Sequence, residues 1–255
     1  MVTYIRKVEK ERGILCGSDE EQEWLLPWWW ERYSAHNAFP VTFIDFGMSE
    51  KARSFCRTHG ELISVDVDDS FIQRKEQLSA QVAASWEAVY GPTLWTGRLR
   101  WFKKPFALLH STYRFNLWLD LDCEILGPLD PLFTACTEET QLALVREYAT
   151  EHLPLFDPGI LYNGGVIAFL HGAPIISEWA ACALQESGSY WSDDALLSSL
   201  IYQKALRVIE LPDIYNWRLA QGVNINAIIH HWTGSAGKAY IRHYGGLTST
   251  INTFF

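Results

Sequence analysis

The segment Arg114-Phe115-Asn116-Leu117-Trp118-Leu119-Asp120-Leu121-Asp122-Cys123-Glu124-Ile125 limits the fold most tightly, because in it an apolar strand runs straight into two carboxylates one residue apart. Phe115, Leu117, Leu119 and Leu121 share one parity, and Trp118, Asp120 and Asp122 share the other. In an extended chain the two acids therefore point to the same side. Such a pair can reach one hard cation, Mg²⁺ or Mn²⁺, which keeps coordination positions open for phosphate oxygens and suits a nucleotide diphosphate. Strand-end solvation and helix capping use the same residues. Placement at the carboxyl end of a strand, where open α/β sheets gather their ligands, favours the functional reading.

The rest of the chain supplies the sheet that this strand would join. Gly13 to Gly17 reads as a first buried strand, followed by Ser18-Asp19-Glu20-Glu21 as a helix cap with first-turn acids and a helix to about Asn37. Val41 to Phe46 is a second strand, Ser49 caps a helix to about His59, and Leu62 to Val65 is a third strand. This alternation predicts right-handed crossovers and an α/β fold with a mainly parallel sheet flanked by helices. Helices are expected over about 70–90 and, past the Gly91-Pro92 break, over about 96–110, the latter carrying Lys103 and Lys104. After a turn at Pro128, Asp130 and Pro131, residues 141–146 read as a strand and 147–158 as a loop rich in proline and acids. Residues 160–169 place two apolar flanks around Asn163-Gly164-Gly165, where missing side chains would allow a close approach or a plain bulge. Helices over 174–185 and 193–204 and a strand over 207–211 complete the expectation.

With 255 residues, 48% of them hydrophobic, the chain can bury one large core, so a single domain is expected. A net charge of −9 and no basic cluster longer than Arg98 to Lys104 argue against a nucleic-acid partner. Cysteines 16, 56, 123, 136 and 182 show no Cys-x-x-Cys spacing, which fits a reduced, cytoplasmic setting better than disulfides or zinc. No apolar signal core opens the sequence and no 18-residue apolar run crosses a membrane, so no transmembrane segment is expected. Twelve tryptophans, three of them consecutive at Trp28 to Trp30, lean mildly towards saccharide contact, although indoles are more often core.

The ordered set of Asp19, Lys103-Lys104-Pro105, Leu119-Asp120-Leu121-Asp122, Asn163-Gly164-Gly165, Asp193-Asp194 and His231-Trp232-Thr233-Gly234 resembles the retaining GT-A-fold glycosyltransferases related to glycogenin and the bacterial lipooligosaccharide galactosyltransferases. The resemblance covers roughly residues 13 to 240. It implies a nucleotide-binding half (about 1–125) and a sugar and acceptor half (about 126–255). It further implies a metal-dependent transfer of a hexose from a nucleotide diphosphate sugar, UDP-linked, to a carbohydrate, glycolipid or protein acceptor with retention. By that resemblance Asp120, Asp122 and His231 hold Mn²⁺ or Mg²⁺, and Asp120 also lies near the ribose. Gly17, Ser18 and Asp19 meet the nucleoside, Lys238 the diphosphate, and Asn163, Gly164 and Gly165 the donor; Lys103 or Lys104 can answer the same diphosphate charge, or both can be a solvated helix face.

Two departures from the family pattern matter. Three residues, Ser235, Ala236 and Gly237, separate Gly234 from Lys238 where the family has two, and Ala239-Tyr240 stands where it has Pro-Trp; a slipped register would make His230 the ligand. Asp193-Asp194-Ala195 stands in place of an Asp-Gln-Asp segment that touches the donor sugar, and makes Asp193 and Asp194 the candidate catalytic acids. Capping and macrodipole effects explain acids after Ser192 equally well. Two other functions remain open at this point. A nucleotidylyltransferase normally needs a basic Gly-rich first loop, whereas Gly17-Ser18-Asp19-Glu20-Glu21 is acidic; a non-catalytic sugar or nucleotide binder would not need intact Asp120, Asp122 and His231.

Overall fold

The computed structural model describes residues 6–147 and 160–247. Strand and helix alternate from the start: β1 (Lys10–Ser18), α1 (Leu26–His36), β2 (Val41–Asp45), α2 (Glu50–His59) and β3 (Glu61–Ser64). Three helices, α3 (Ala80–Tyr90), α4 (Leu94–Trp101) and α5 (Lys104–Leu108), lead to β4 (Tyr113–Leu119). Then come β5 (Cys123–Ile125), α6 (Asp130–Phe133), β6 (Leu142–Arg146), β7 (Tyr162–Leu170), α7 (Pro174–Glu186) and α8 (Asp193–Gln203). Short strands β8 (Ile209–Glu210), β9 (Trp217–Arg218) and β10 (Ile229–His231) precede α9 (Gly234–Tyr244).

Seven strands form one sheet in the order β3-β2-β1-β4-β7-β6-β8. Only β7 runs against its neighbours β4 and β6, so the sheet is mainly parallel, as the alternation predicts. Leu117 and Leu119 pack in one layer with Ile14, Cys16 and Trp29, while Trp118 packs in the opposite layer with Leu15, Ile44 and Phe102. Burial on both faces is why β4 and β7 read as nearly unbroken apolar runs. A second, small sheet has the order β5-β10-β9.

Several boundaries differ from the sequence reading. The Asp120/Asp122 segment is two strands: β4 ends at Leu119, the Cys123 N–H donates to Asp120 O (3.0 Å) to close a turn, and β5 joins the second sheet. The first helix is not capped by Ser18; Asp19 Oδ1 instead accepts from Gln22 N (2.9 Å), ahead of a 3₁₀ turn at Glu23–Leu25. The helix expected from 70 starts only at Ala80, where Ser79 caps it, after two short 3₁₀ turns. Pro105 lacks an N–H and crowds the preceding turn, which divides the expected 96–110 helix into α4 and α5. The strand expected over 207–211 shortens to two residues. Residues 162–170 form one strand with a bulge: Leu144 faces Ile167 but Val145 faces Asn163, so Gly164, Gly165 and Val166 have no opposite number on β6.

Trp28 to Trp30 are structural. Trp29 stacks on Tyr33, Trp30 packs on Phe43 and His59, and Trp28 Nε1 donates to Gly245 O (2.8 Å). Nearby, the fully buried Glu124 accepts from Trp232 Nε1 (2.9 Å) and from Leu247 N (2.7 Å), which fastens the segment after α9 to β5. Most of the 147–158 loop and the 247–255 tail lies outside the described residues. Among the described residues no helix is long and apolar enough to cross a membrane, and the five cysteines are free thiols.

Candidate functional site

The strand order reverses direction in the chain between β1 and β4, and the crevice at the carboxyl ends of these strands is where open α/β sheets bind ligands. β1 delivers Ser18 and Asp19 there, and β4 delivers Asp120. Trp118 Nε1 donates to Asp120 Oδ1 (2.6 Å), and the Trp118 ring lies against Gly17, where a larger residue would meet it and Phe46. Gly17 thus sets the indole that orients the first acid.

The turn after β4 brings Asp122 alongside. His231 Nε2 lies 3.2 Å from Asp122 Oδ1 and 4.0 Å from Asp120 Oδ2, and one ligand atom from each of the three residues lies within 4.8 Å of the others. This donor set, two carboxylates and an imidazole, fits a hard or borderline divalent cation such as Mn²⁺. His230 takes no part. Alternation along β10 turns it to the other face, where it stacks on Trp232 and its Nε2 lies 3.4 Å from Gly222 O. The register therefore favours His231 despite the altered spacing downstream. Lys238 reaches the site from the second turn of α9, donating to Asp122 Oδ2 at 2.5 Å.

A second acid pair sits across Lys104. This buried ammonium donates to Gly164 O (2.9 Å) and lies 3.3 Å from Asp120 Oδ1 and 3.6 Å from Asp193 Oδ2. Burial alone would pull the lysine down, but Asp120, Asp193 and Asp194 together hold it well above its ordinary value. Ser192 Oγ caps α8 by accepting from Ala195 N, so the acids stand in the first turn, as expected. Asp194 Oδ1 accepts from Gly164 N (3.0 Å), whereas Asp193 Oδ2 is buried and hydrogen-bonded to nothing among the described residues. Burial pushes the Asp193 carboxyl up to about 6 against the pull of Lys104, with Asp120 adding to the rise. Asp194 is raised as well, by burial first and then by Asp193. Asp122 goes the other way: burial opposes its charge, but Lys238 and His231 hold it far below the carboxylate range.

The glycines of the β7 bulge make these approaches possible. A Cβ on Gly164 would overlap Asp194, and one on Gly165 would overlap the His231 imidazole. The sequence reading allowed for a ligand or another backbone here; the structure puts the site's own side chains there instead.

Asp19 directly follows β1, its Oδ2 accepts from Arg100 Nε (2.7 Å), and Arg100 also pairs with Glu21. Lys103 is not brought to the acids; its charge acts on Asp68. Sequence reasoning missed Arg100, visible only as part of a short basic cluster, and a buried chain behind His231. His231 Nδ1 is 2.9 Å from Asn216 Oδ1, Asn216 Nδ2 donates to Asn163 Oδ1 (2.9 Å), and Asn163 Nδ2 donates to Glu147 Oε2 (2.7 Å). Arg218 Nε lies 2.8 Å from Glu147 Oε1. Tyr215-Asn216-Trp217 carries no motif, so nothing in the sequence announced it.

Solved structures share this fold. A galactosyltransferase, LgtC, in complex with donor and acceptor sugar analogs superimposes with a TM-score of 0.65 at 15% identity, over 95% of this chain and 94% of that one. The glycosyltransferase GlyE of Streptococcus pneumoniae gives 0.62 at 15% identity over 96% of this chain and 63% of that one. Mouse xyloside xylosyltransferase 1 gives 0.53 at 12% identity, over 89% and 98%. No family model and no curated protein matches the sequence. The chain thus has a GT-A-like fold found in glycosyltransferases, as its spaced motifs imply.

Proposed function

We propose that this chain is a divalent-metal-dependent glycosyltransferase that moves a hexose from a UDP-sugar to a carbohydrate, glycolipid or protein acceptor with retention at the anomeric carbon. The observation that carries the proposal is the cluster of Asp120, Asp122 and His231 at the β1/β4 crevice. Around it stand four acid groups, Asp120, Asp122, Asp193 and Asp194, against two ammonium groups, Lys104 and Lys238. A divalent cation would answer that excess of acids. When bound, it neutralises the charge that develops on the departing diphosphate.

The chain's own groups then divide the work. Asp19, Gly17 and Ser18 form the nucleoside end, with Arg100 holding the Asp19 carboxylate in place. Lys238 is the more exposed of the two site lysines, and it supplies the ammonium that can turn towards phosphate. Lys104 is enclosed by Asp120, Asp193 and Gly164, so its task is to hold the acids and the β7 bulge against the sugar rather than to follow the leaving group. Asp193, with its value near neutrality, and Asp194, fixed by the Gly164 N–H, orient sugar hydroxyls or stabilise positive charge at the anomeric carbon. Asp194 is the stronger candidate, since it occupies the place of the family's amide.

Calorimetry of UDP with Mn²⁺ and with EDTA tests the proposal. Tighter binding with Mn²⁺ is the expected result, and equal affinity in both would sink it. NMR of the sugar first released by donor hydrolysis tests the stereochemistry without an acceptor. An inverted first anomer would remove retention.

A further inference from the structure

We infer that Asn216, itself held by Asn163, is a positioning residue that sets the tautomer of His231 and presents a bare Nε2 to the cation. The inference rests on the metal reading above and extends it to residues that touch no ligand. It starts from a group whose role cannot be exchanged: the Gly165 backbone N–H can only donate, and it reaches Asn163 Oδ1 at 2.9 Å. At the other end of the same amide, the Glu147 carboxylate, anchored by Arg218, accepts from Asn163 Nδ2. Both contacts give Asn163 one orientation. The Asn216 atom 2.9 Å from Asn163 Oδ1 must then be its Nδ2, which turns Asn216 Oδ1 towards His231 Nδ1. An amide oxygen only accepts, so Nδ1 carries the hydrogen.

In a neutral imidazole the other nitrogen then has a free lone pair. That lone pair faces Asp122 Oδ1 at 3.2 Å and Asp120 Oδ2 at 4.0 Å. Where the ring is protonated its Nε2–H answers Asp122 Oδ1; in the neutral ring lone pair and carboxylate repel, and a cation among the three atoms turns that repulsion into coordination. The chain is sealed from exchange with solvent: Asn216 is 0% exposed, His231 4% and Asn163 7%. Arg218 Nη1 also donates to Asn216 O (2.7 Å), so the backbone that carries the amide is held as well. Gly165 lies directly against the imidazole, where any Cβ would overlap the ring. A ring N–H tied to a fixed acceptor is how proteins commonly orient a histidine ligand, and removing the acceptor weakens metal binding about 10–100-fold.

The test has two arms on the full chain. In the first, ¹⁵N NMR of the metal-free protein reads the His231 tautomer directly, and Nδ1–H is expected. Nε2–H as the main form would overturn the inference even if Mn²⁺ binds tightly. In the second, electron paramagnetic resonance follows Mn²⁺ titrations of wild type, Asn216→Leu and Asn216→Asp. The near-isosteric Leu, with no acceptor, should weaken Mn²⁺ about 10–100-fold, while Asp, which keeps an acceptor on Nδ1, should bind within a few-fold of wild type. Equal losses in both would reduce Asn216 to a structural role and overturn the inference. Absence of Mn²⁺ binding by wild type would instead take down the metal reading, and this inference with it.

Discussion

Asp120 and Asp122 differ from Asp193 and Asp194 in the number of cationic or polar groups that answer them, although Lys104 touches both pairs. Asp122 has Lys238 on one oxygen and His231 beside the other, and Asp120 has Lys104 and the Trp118 indole. Among the described residues Asp194 accepts one backbone N–H, from Gly164, and Asp193 Oδ2 faces a lysine at 3.6 Å without a hydrogen bond. Asp122, Asp193 and Asp194 are enclosed, and burial alone would raise all three. Only where cations outnumber the desolvation cost does the carboxylate stay charged. One pair is thus built to bind a cation and the other to carry a proton close to neutral pH, within one pocket.

The comparison breaks most severely if the shared lysine is removed. Lys104→Met should leave Asp120, Asp193 and Gly164 O facing one another without a cation, at a cost of roughly 3–5 kcal/mol in urea unfolding. A loss below about 1 kcal/mol would show that the two pairs do not depend on it. Next comes Asp122→Asn, which should abolish the Mn²⁺-dependent part of UDP binding by calorimetry and destabilise the fold by roughly 3 kcal/mol. Because the folded form of Asp122 holds its proton more weakly than the unfolded chain does, this stability is present above the ordinary carboxylate range. It is lost as the pH falls through it.

Asp193→Asn has the opposite sign. The folded Asp193 binds its proton more tightly than the unfolded chain, so its ionisation lowers stability as the pH rises from about 3.8 to about 6. The variant should flatten that slope, gain on the order of 3 kcal/mol at pH 8, and lose donor hydrolysis. A variant that falls in stability as Asp122→Asn does would erase the contrast. The smallest expected effect is that of Lys238→Met. With its lysine 27% exposed, the variant should weaken UDP by about tenfold while leaving uridine binding unchanged. Equal weakening of both ligands would assign Lys238 to the fold.

The sheet was legible because β1, β2 and β4 are apolar on both faces and separated by helix-length segments, and the first acid pair was legible because two residues of one parity share a strand end. Lys104 was legible as one of two neighbours, but only packing against Gly164 chose it over Lys103. His231 was separated from His230 by the face each takes on a three-residue strand, which no local pattern fixes. The boundary errors have separate causes. Pro105 broke a helix whose apolar periodicity continued past it, and the β7 bulge depends on side chains that come from α5, α8 and β10. Asn216 was beyond reach: an asparagine in a short turn acquires meaning only from the amide and imidazole folded onto it.

The clamp of Glu124 on Trp232 and Leu247 has a consequence for biosynthesis. His231 lies 109 residues beyond Asp122, Lys238 lies 116 beyond it, and Leu247 lies 123 beyond Glu124. A nascent chain elongating at about 5–20 residues per second can build β1 to β4 early, yet it cannot close the cation site until β10 has left the ribosome. For that interval the polypeptide holds its acid pair without imidazole or terminal lysine, and pulse-labelled ribosome-bound chains stalled before residue 231 should show a folded sheet with no Mn²⁺ binding.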